Sequence, residues 1–409
     1  MTTPQPAQHA DLRPEAAPTA QSAPAAAGPA TGRSPLLSLP GAVALSLSGG
    51  GTGSVAAHYG DPLPEQRRLA EGAGIVDRSD RDVVVVPGAD RLSWLHSITS
   101  QHLESLGDAT GSEALVLSPN GHVEHHVVLT ELAGTTWGDV EPGTGAALLA
   151  FLERMRFMLR VEPAQVTDTW ALLSLVGPRG DAVLAAAGFP VPPAVGAVVP
   201  LAGGGWARRM PALGDGTAAA VDLLVPRADL EARAGELLAA GAAPAGLDAY
   251  EALRVEARRP RAGVDTDHRT IPNEVSWLQT AVHLEKGCYR GQETVARVHN
   301  LGRPPRRLVL LHLAGMSEVL PAPGTPLTSG TREVGRVGTA VRHHELGVIA
   351  LALVKQSALG GQGGSGPAEL RVGETVAVVD GDDAPADLDD TQVAARERVK
   401  AVRSGTIGR

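Results

Sequence analysis

The sequence predicts an α+β protein: two α+β halves with antiparallel sheets, followed by a small β-barrel. Three observations carry this. Between Val83 and Met155 the apolar pattern runs strand, helix, two strands, helix. Between Trp170 and Ala240 a similar rhythm returns, though the two stretches are too different to be a sequence repeat. After Pro304-Pro305, short apolar runs alternate with Gly and Pro, as in small barrels.

The elements follow in order. Val83-Val84-Val85-Val86 reads as a buried strand closed by Pro87-Gly88. Leu92, Leu95 and Ile98 mark one face of a helix opening near Asp90. Residues 114–117 and 123–129 form paired strands around the turn Pro119-Asn120-Gly121. Leu148, Leu149, Leu152 and Met155 give an amphipathic helix. Residues 170–176 and 221–225 read as strands, 181–187 and 229–240 as helices. In the helix 247–258, Leu247, Tyr250, Leu253 and Ala257 share a buried stripe, and Arg254 projects into it. An arginine there needs a partner, because burying it unpaired is costly. Barrel strands are expected at 308–313, 335–341, 347–354 and 374–379.

The expected organisation is an Ala/Pro/Gly-rich disordered segment at 1–54 and an α+β region at 55–303. The latter divides into about 55–160 plus 241–303, and 161–240. The barrel occupies 304–380, and a charged tail 381–409.

Composition narrows the function. The chain has 409 residues, a formal charge of −9 and 3% aromatic residues, which argues against general nucleic-acid or membrane-surface binding. Residues 251–310 nevertheless hold 11 Lys+Arg against 7 Asp+Glu, a local +4 that suits an anionic ligand. One cysteine excludes an internal disulfide and a self-contained thiolate cluster. Without a secretory signal or a long apolar run, the protein is expected to be soluble and cytoplasmic, with no intrinsic metal.

That cysteine lies in Lys286-Gly287-Cys288-Tyr289-Arg290-Gly291-Gln292-Glu293. Lys286 and Arg290 favour a thiolate, and glycines permit a tight turn and close approach of a ligand. Three roles are open to Cys288: nucleophile, redox contact or ligand for a partner's metal centre, or buried structural residue. Elsewhere, Ser118-Pro119-Asn120-Gly121-His122-Val123-Glu124-His125-His126 would put His122, Glu124 and His126 on one strand face. A polar sheet face or channel wall suits them better than a metal site. The rigid, charged segments 259–265 and 271–274 are candidate ligand loops.

The octet matches the K-G-C-Y-x-G-Q-E signature of the YgfZ family of folate-binding proteins, relatives of the glycine cleavage T-protein (aminomethyltransferase). Leu253-Arg254-Val255-Glu256, Gly263, Asp265 and Ile271-Pro272-Asn273-Glu274 resemble its usual lead-in. Gly74-Ile75-Val76-Asp77-Arg78-Ser79, Gly335-Arg336-Val337-Gly338 and residues 349–354 add support. The resemblance implies a T-protein-like three-lobed architecture around a channel for tetrahydrofolate or a derivative. It places Glu256 against the pterin ring, with Arg254, Glu124, Tyr289 and Gln292 as further folate-side residues. Cys288, Lys286 and Arg290 become the candidate functional thiol and its neighbours.

T-proteins carry paired aspartates after a Gly-Gly turn; here the stretch reads Gly121-His122-Val123-Glu124-His125, without aspartate. The resemblance therefore implies a folate-dependent accessory factor for iron–sulfur assembly or repair, serving client or assembly proteins and indirectly tRNA modification. The alternative is an aminomethyltransferase-like one-carbon transfer enzyme with Glu124 replacing the aspartate.

Overall fold

A computed structural model describes residues 32–46, 51–314, 319–359 and 369–383. Two antiparallel-based sheets and a closed barrel make up its three lobes. The five-stranded sheet runs, in spatial order, Thr110–Leu117, Val123–Leu132, Thr135–Val140, Asp82–Pro87 and Ala164–Gln165. Helices Arg91–Ile98 and Gly145–Met155 cover one face, burying Trp94, Leu95, Ile98, Leu148, Phe151 and Leu152 in one core.

The six-stranded sheet runs Val198–Pro200, Trp206–Leu213, Ala218–Pro226, Trp170–Val176, Gly74–Asp77 and Ala243–Ala245. Its last pair is parallel and the others are antiparallel. The division at residue 160 therefore differs from expectation. Ala164–Gln165 pairs with Asp82–Pro87 in the first sheet, whereas Gly74–Asp77 and Ala243–Ala245 join the second. Such exchanges between distant segments leave no mark on local alternation.

The barrel closes through six strands: Arg306–Leu313, Gly347–Lys355, Arg332–His343, Pro326–Ser329, Leu370–Val372 and Thr375–Val379. Two ends of the expected organisation are corrected. Within the segment expected to be disordered, Ala42–Ser46 pairs with Thr52–Tyr59, and Leu36 is buried in the core of the six-stranded sheet. At the other end, Gly381–Asp383 forms a 3₁₀ turn on the barrel, where Asp383 accepts the Leu310 N–H at 2.7 Å. Residues 1–31, 47–50 and 384–409 lie outside the described residues.

The strand Trp206–Leu213 escaped the sequence reading because Arg208-Arg209 interrupts its apolar pattern. Arg208 is nonetheless buried, donating to Asp139 of the five-stranded sheet at 2.7 Å and to Asp222 of its own at 3.1 Å. Its guanidinium also lies 4.7 Å from the Trp206 ring centroid. One side chain thus ties the two sheets together. Replacing Arg208 with Met leaves two buried carboxylates without this partner, and about 3–5 kcal/mol of stability should disappear. Urea unfolding of the variant measures the loss; an unchanged midpoint would show that the bridge is dispensable.

Candidate functional site

A cavity of about 110 Å³ opens where both sheets meet helix Leu247–Glu256 and the loop that follows it. The five-stranded sheet supplies Glu113, His126, Val128 and Asp139; the six-stranded sheet supplies Met210 and Asp222. Leu247, Tyr250, Glu251 and Arg254 come from the helix, and Arg259, Pro260 and Arg261 from the loop. Trp277 closes one wall and stacks on His126 with centroids 4.5 Å apart.

Most of the charges in this wall bind one another. Arg78 reaches Asp222 at 3.6 Å, Asp222 reaches Arg208, Arg208 reaches Asp139, and Asp139 reaches Arg81 at 2.9 Å. The alternation continues through Glu141 (2.8 Å to Arg81), Arg261 (2.8 Å), Glu251 (3.2 Å), Arg254 (2.8 Å) and Asp265 (2.9 Å). Burial raises the pKa of Glu251, but Arg254 and Arg261 overcome this and hold it down at about 2. On the opposite wall Glu113 accepts from Thr280 at 2.9 Å and pairs with His126 Nε2 at 3.1 Å. Burial opposes its charge too, yet the His126 contact brings it to about 2.

Asp80 behaves differently. It lines the same cavity, and among the described residues its carboxylate has no hydrogen bond or ion pair within 4 Å. Burial pushes it up to about 6, and the more distant charges of Arg78, Arg81 and Arg261 only partly compensate.

The sequence-expected residues divide sharply. Arg254 reaches the cavity, but its guanidinium is fully engaged. Its five N–H donors go to both oxygens of Glu251, the Arg259 carbonyl, Asp265 and Thr339. Asp265 in turn accepts the Thr339 N–H at 2.7 Å, and a Cβ at Gly338 would lie 2.4 Å from its Oδ1. Arg254 is therefore the hinge-pin between helix and barrel, which explains the Gly335-Arg336-Val337-Gly338 motif. Glu256 is not on the cavity wall; it pairs with His343 of the barrel at 3.1 Å. Glu251, five residues earlier, lines the cavity instead.

Glu124 also turns away, toward Arg290 at 3.3 Å on the surface. Its strand neighbour His125 packs near Phe151, where burial, with help from Arg154, lowers it to about 4. A bulge at Glu124, where Val116 pairs with His125 and Leu117 with Val123, breaks the alternation expected of His122, Glu124 and His126, and of the three His126 lines the cavity. Among the described residues no group of three or more His, Cys, Asp or Glu is arranged to hold a metal ion.

The octet forms a clamped turn outside the cavity wall. Lys286 is buried and donates to the carbonyls of His96, Thr99 and Gln101, capping helix Arg91–Ile98. Burial lowers it to about 8. It therefore does not serve the thiol, and Arg290 is engaged with Glu124. Tyr289 is a core residue, pushed up to about 12 by burial, and Gln292 Oε1 accepts the Tyr289 N–H. Cys288 is exposed, which removes the buried structural role left open by the sequence.

Of the two glycines, Gly291 is the constrained one. Its φ is +82°, and an added Cβ would stand 2.6 Å from the Ser118 carbonyl and 2.8 Å from Gly121 Cα. The octet thus interlocks with the Pro119-Asn120-Gly121 turn. Gly287 faces open space. Gly291→Ala should therefore cost about 2 kcal/mol or more while Gly287→Ala stays within about 0.5 kcal/mol, as read by thermal unfolding. Equal melting points would dissolve the interlock argument.

Sequence reasoning missed Asp80, Glu113 and Glu251, and named Arg259 only as part of a charged loop. Asp80 directly follows the Gly74–Ser79 motif; no local signal distinguishes it from a surface turn residue.

The GCVT N-terminal domain family matches residues 61–195, and the CAF17 C-terminal beta-barrel domain family matches residues 306–394. A putative chloroplastic transferase of Arabidopsis thaliana is 26% identical over 65% of this chain, which spans only 61% of that relative. Aminomethyltransferases of Moorella thermoacetica (26% identical) and Rubrobacter xylanophilus (28%) align over 72% and 74% of the chain and 82% of each relative. The crystal structure of glycine cleavage system aminomethyltransferase T from Bartonella henselae superposes with a TM-score of 0.73 at 21% identity. It covers 84% of this chain and 94% of that one, so the fold is shared. The chain thus joins a segment similar to the GCVT N-terminal domain to one similar to the CAF17 C-terminal β-barrel, on a fold shared with aminomethyltransferase T.

Proposed function

We propose that the protein binds tetrahydrofolate or a derivative in this cavity and acts as an accessory factor in iron–sulfur cluster assembly or repair. Iron–sulfur client or assembly proteins are its partners, and tRNA modification benefits indirectly. The observation that carries the reading is the exposed Cys288 held between two fixed points. Lys286 anchors the turn on one side and Gly291 on the other, so the thiol is displayed on a rigid support. A sulfur needed only for packing would have no reason to stand exposed there.

The cavity suits the ligand. A pterin presents a row of N–H donors, for which carboxylates on the wall are acceptors. Trp277 and His126 offer a stacked aromatic surface beside it. In the reading, Cys288 contacts a client's cluster or thiol from outside, while the folate occupies the interior.

Loss of the gene should lower the activity of iron–sulfur enzymes in the cell. Wild type should restore it, and Cys288→Ala should not. Full rescue by that variant would remove the thiol from the mechanism.

A one-carbon transfer enzyme is the second reading, favoured by the Glu113–His126 pair on the cavity wall. A carboxylate-held imidazole is a proton-moving unit, and it could take the part of the absent aspartate. Purified protein given tetrahydrofolate and an aminomethylated amine would then form methylene-folate with release of ammonia and the parent amine, and His126→Ala would abolish it. No product from any amine rejects this reading.

A further inference from the structure

Eleven Asp, Glu and Arg side chains line the cavity, and nine of them are engaged in hydrogen bonds or ion pairs. Asp80 and Arg259 are the exceptions. Among the described residues the Arg259 guanidinium makes no hydrogen bond or ion pair; only its backbone is used, the N–H donating to the Arg254 carbonyl and the carbonyl accepting from the Arg254 guanidinium. The two lie in different parts of the wall. Asp80 feels Arg78, Arg81 and Arg261, whereas Arg259 acts on Glu113, beside His126 and Thr280.

The surroundings explain why neither is neutralised from within. Arg78 donates to Tyr250 at 2.9 Å and to Ser174 at 3.2 Å. Arg81 is divided between Asp139 and Glu141, and Arg261 between Glu141 and Glu251. Glu113 is taken by His126 and Thr280. Opposite charges left without partners in separate parts of a cavity lining cost stability unless something binds them.

We infer that Asp80 and Arg259 are the two ligand-facing charges of this cavity, Asp80 accepting adjacent N–H donors of a heterocycle and Arg259 receiving a carboxylate. The ligand is thus dipolar, with hydrogen-bond donors at one end and negative charge at the other. Among the folates of the proposed function, on which this inference rests, the pterin ring meets Asp80 rather than Glu256. The acceptor must be ionised, and burial has moved Asp80 up to about 6. Affinity should therefore fall as pH drops through that value, since protonation removes the negative acceptor.

Tetrahydrofolate binding to the full chain, followed by calorimetry, tests this with Asp80→Asn, Arg259→Gln and Glu256→Gln. A charged hydrogen bond lost at either pole should weaken binding about tenfold or more, while Glu256→Gln stays close to wild type. Asp80→Glu, which keeps the charge, should recover part of the loss. A 6-methylpterin probe, which lacks the glutamyl carboxylates, should be sensitive to Asp80→Asn and indifferent to Arg259→Gln. Because Asp80 has no hydrogen bond to lose, its Asn variant should melt no lower than wild type. If wild type binds tetrahydrofolate and Asp80→Asn binds equally well, this inference is overturned and the folate reading stands. If wild type binds no folate, both fall.

Discussion

Ten charged side chains, alternating in sign, form the axis on which this molecule is assembled. The series runs Arg78, Asp222, Arg208, Asp139, Arg81, Glu141, Arg261, Glu251, Arg254 and Asp265, with neighbouring members 2.7–3.6 Å apart. It begins in the six-stranded sheet, crosses to the five-stranded sheet at Arg208–Asp139, and passes through the loop at Arg261 to helix Leu247–Glu256. At Asp265 and Thr339 it meets the barrel. Five cations face five anions, so the series is neutral. Removing a single member would leave a buried neighbour uncompensated, which is why such an array specifies one arrangement of the lobes.

The cavity is a consequence of that axis. Its walls are polar because the assembly charges line it, and those charges are unavailable because they hold each other. What remains open to a ligand is small: the Asp80 carboxylate, the Arg259 guanidinium, the His126–Trp277 stack and the His126–Glu113 pair. A site built this way has fixed electrostatics before any ligand arrives, since the surrounding dipoles and charges are already oriented. The octet lies outside it, on a separate clamp formed by Lys286 on the end of helix Arg91–Ile98 and by Gly291 against Gly121. The interior cavity and the exterior thiol are therefore held by different interactions.

Much of the architecture was legible in the chain. Apolar runs such as Val83–Val86 and residues 170–176 became strands close to their expected limits. The stripe of helix Leu247–Glu256 correctly required a partner for Arg254. His125 and His126 separate to opposite faces as strand geometry demands, one toward Phe151 and the other toward Trp277. The roles assigned by motif fared differently. Glu256 and Glu124 lie off the cavity wall, joined to His343 and Arg290, and Lys286 caps a helix.

The sequence by itself determined many of the strands, helices and turns, though not the strand Trp206–Leu213 or the pair Ala42–Ser46 and Thr52–Tyr59, and that Cys288 sits in a glycine-bounded polar turn. Those features follow from short-range periodicity, steric limits and residue chemistry, all of which act between near neighbours. Only the tertiary structure decided which charges face a ligand. Asp80, Glu113 and Arg259 are distant in the chain, and whether a carboxylate is engaged or open depends on partners brought within 4 Å by folding. Pairing across lobes is a property of the packed molecule, and no local pattern encodes it.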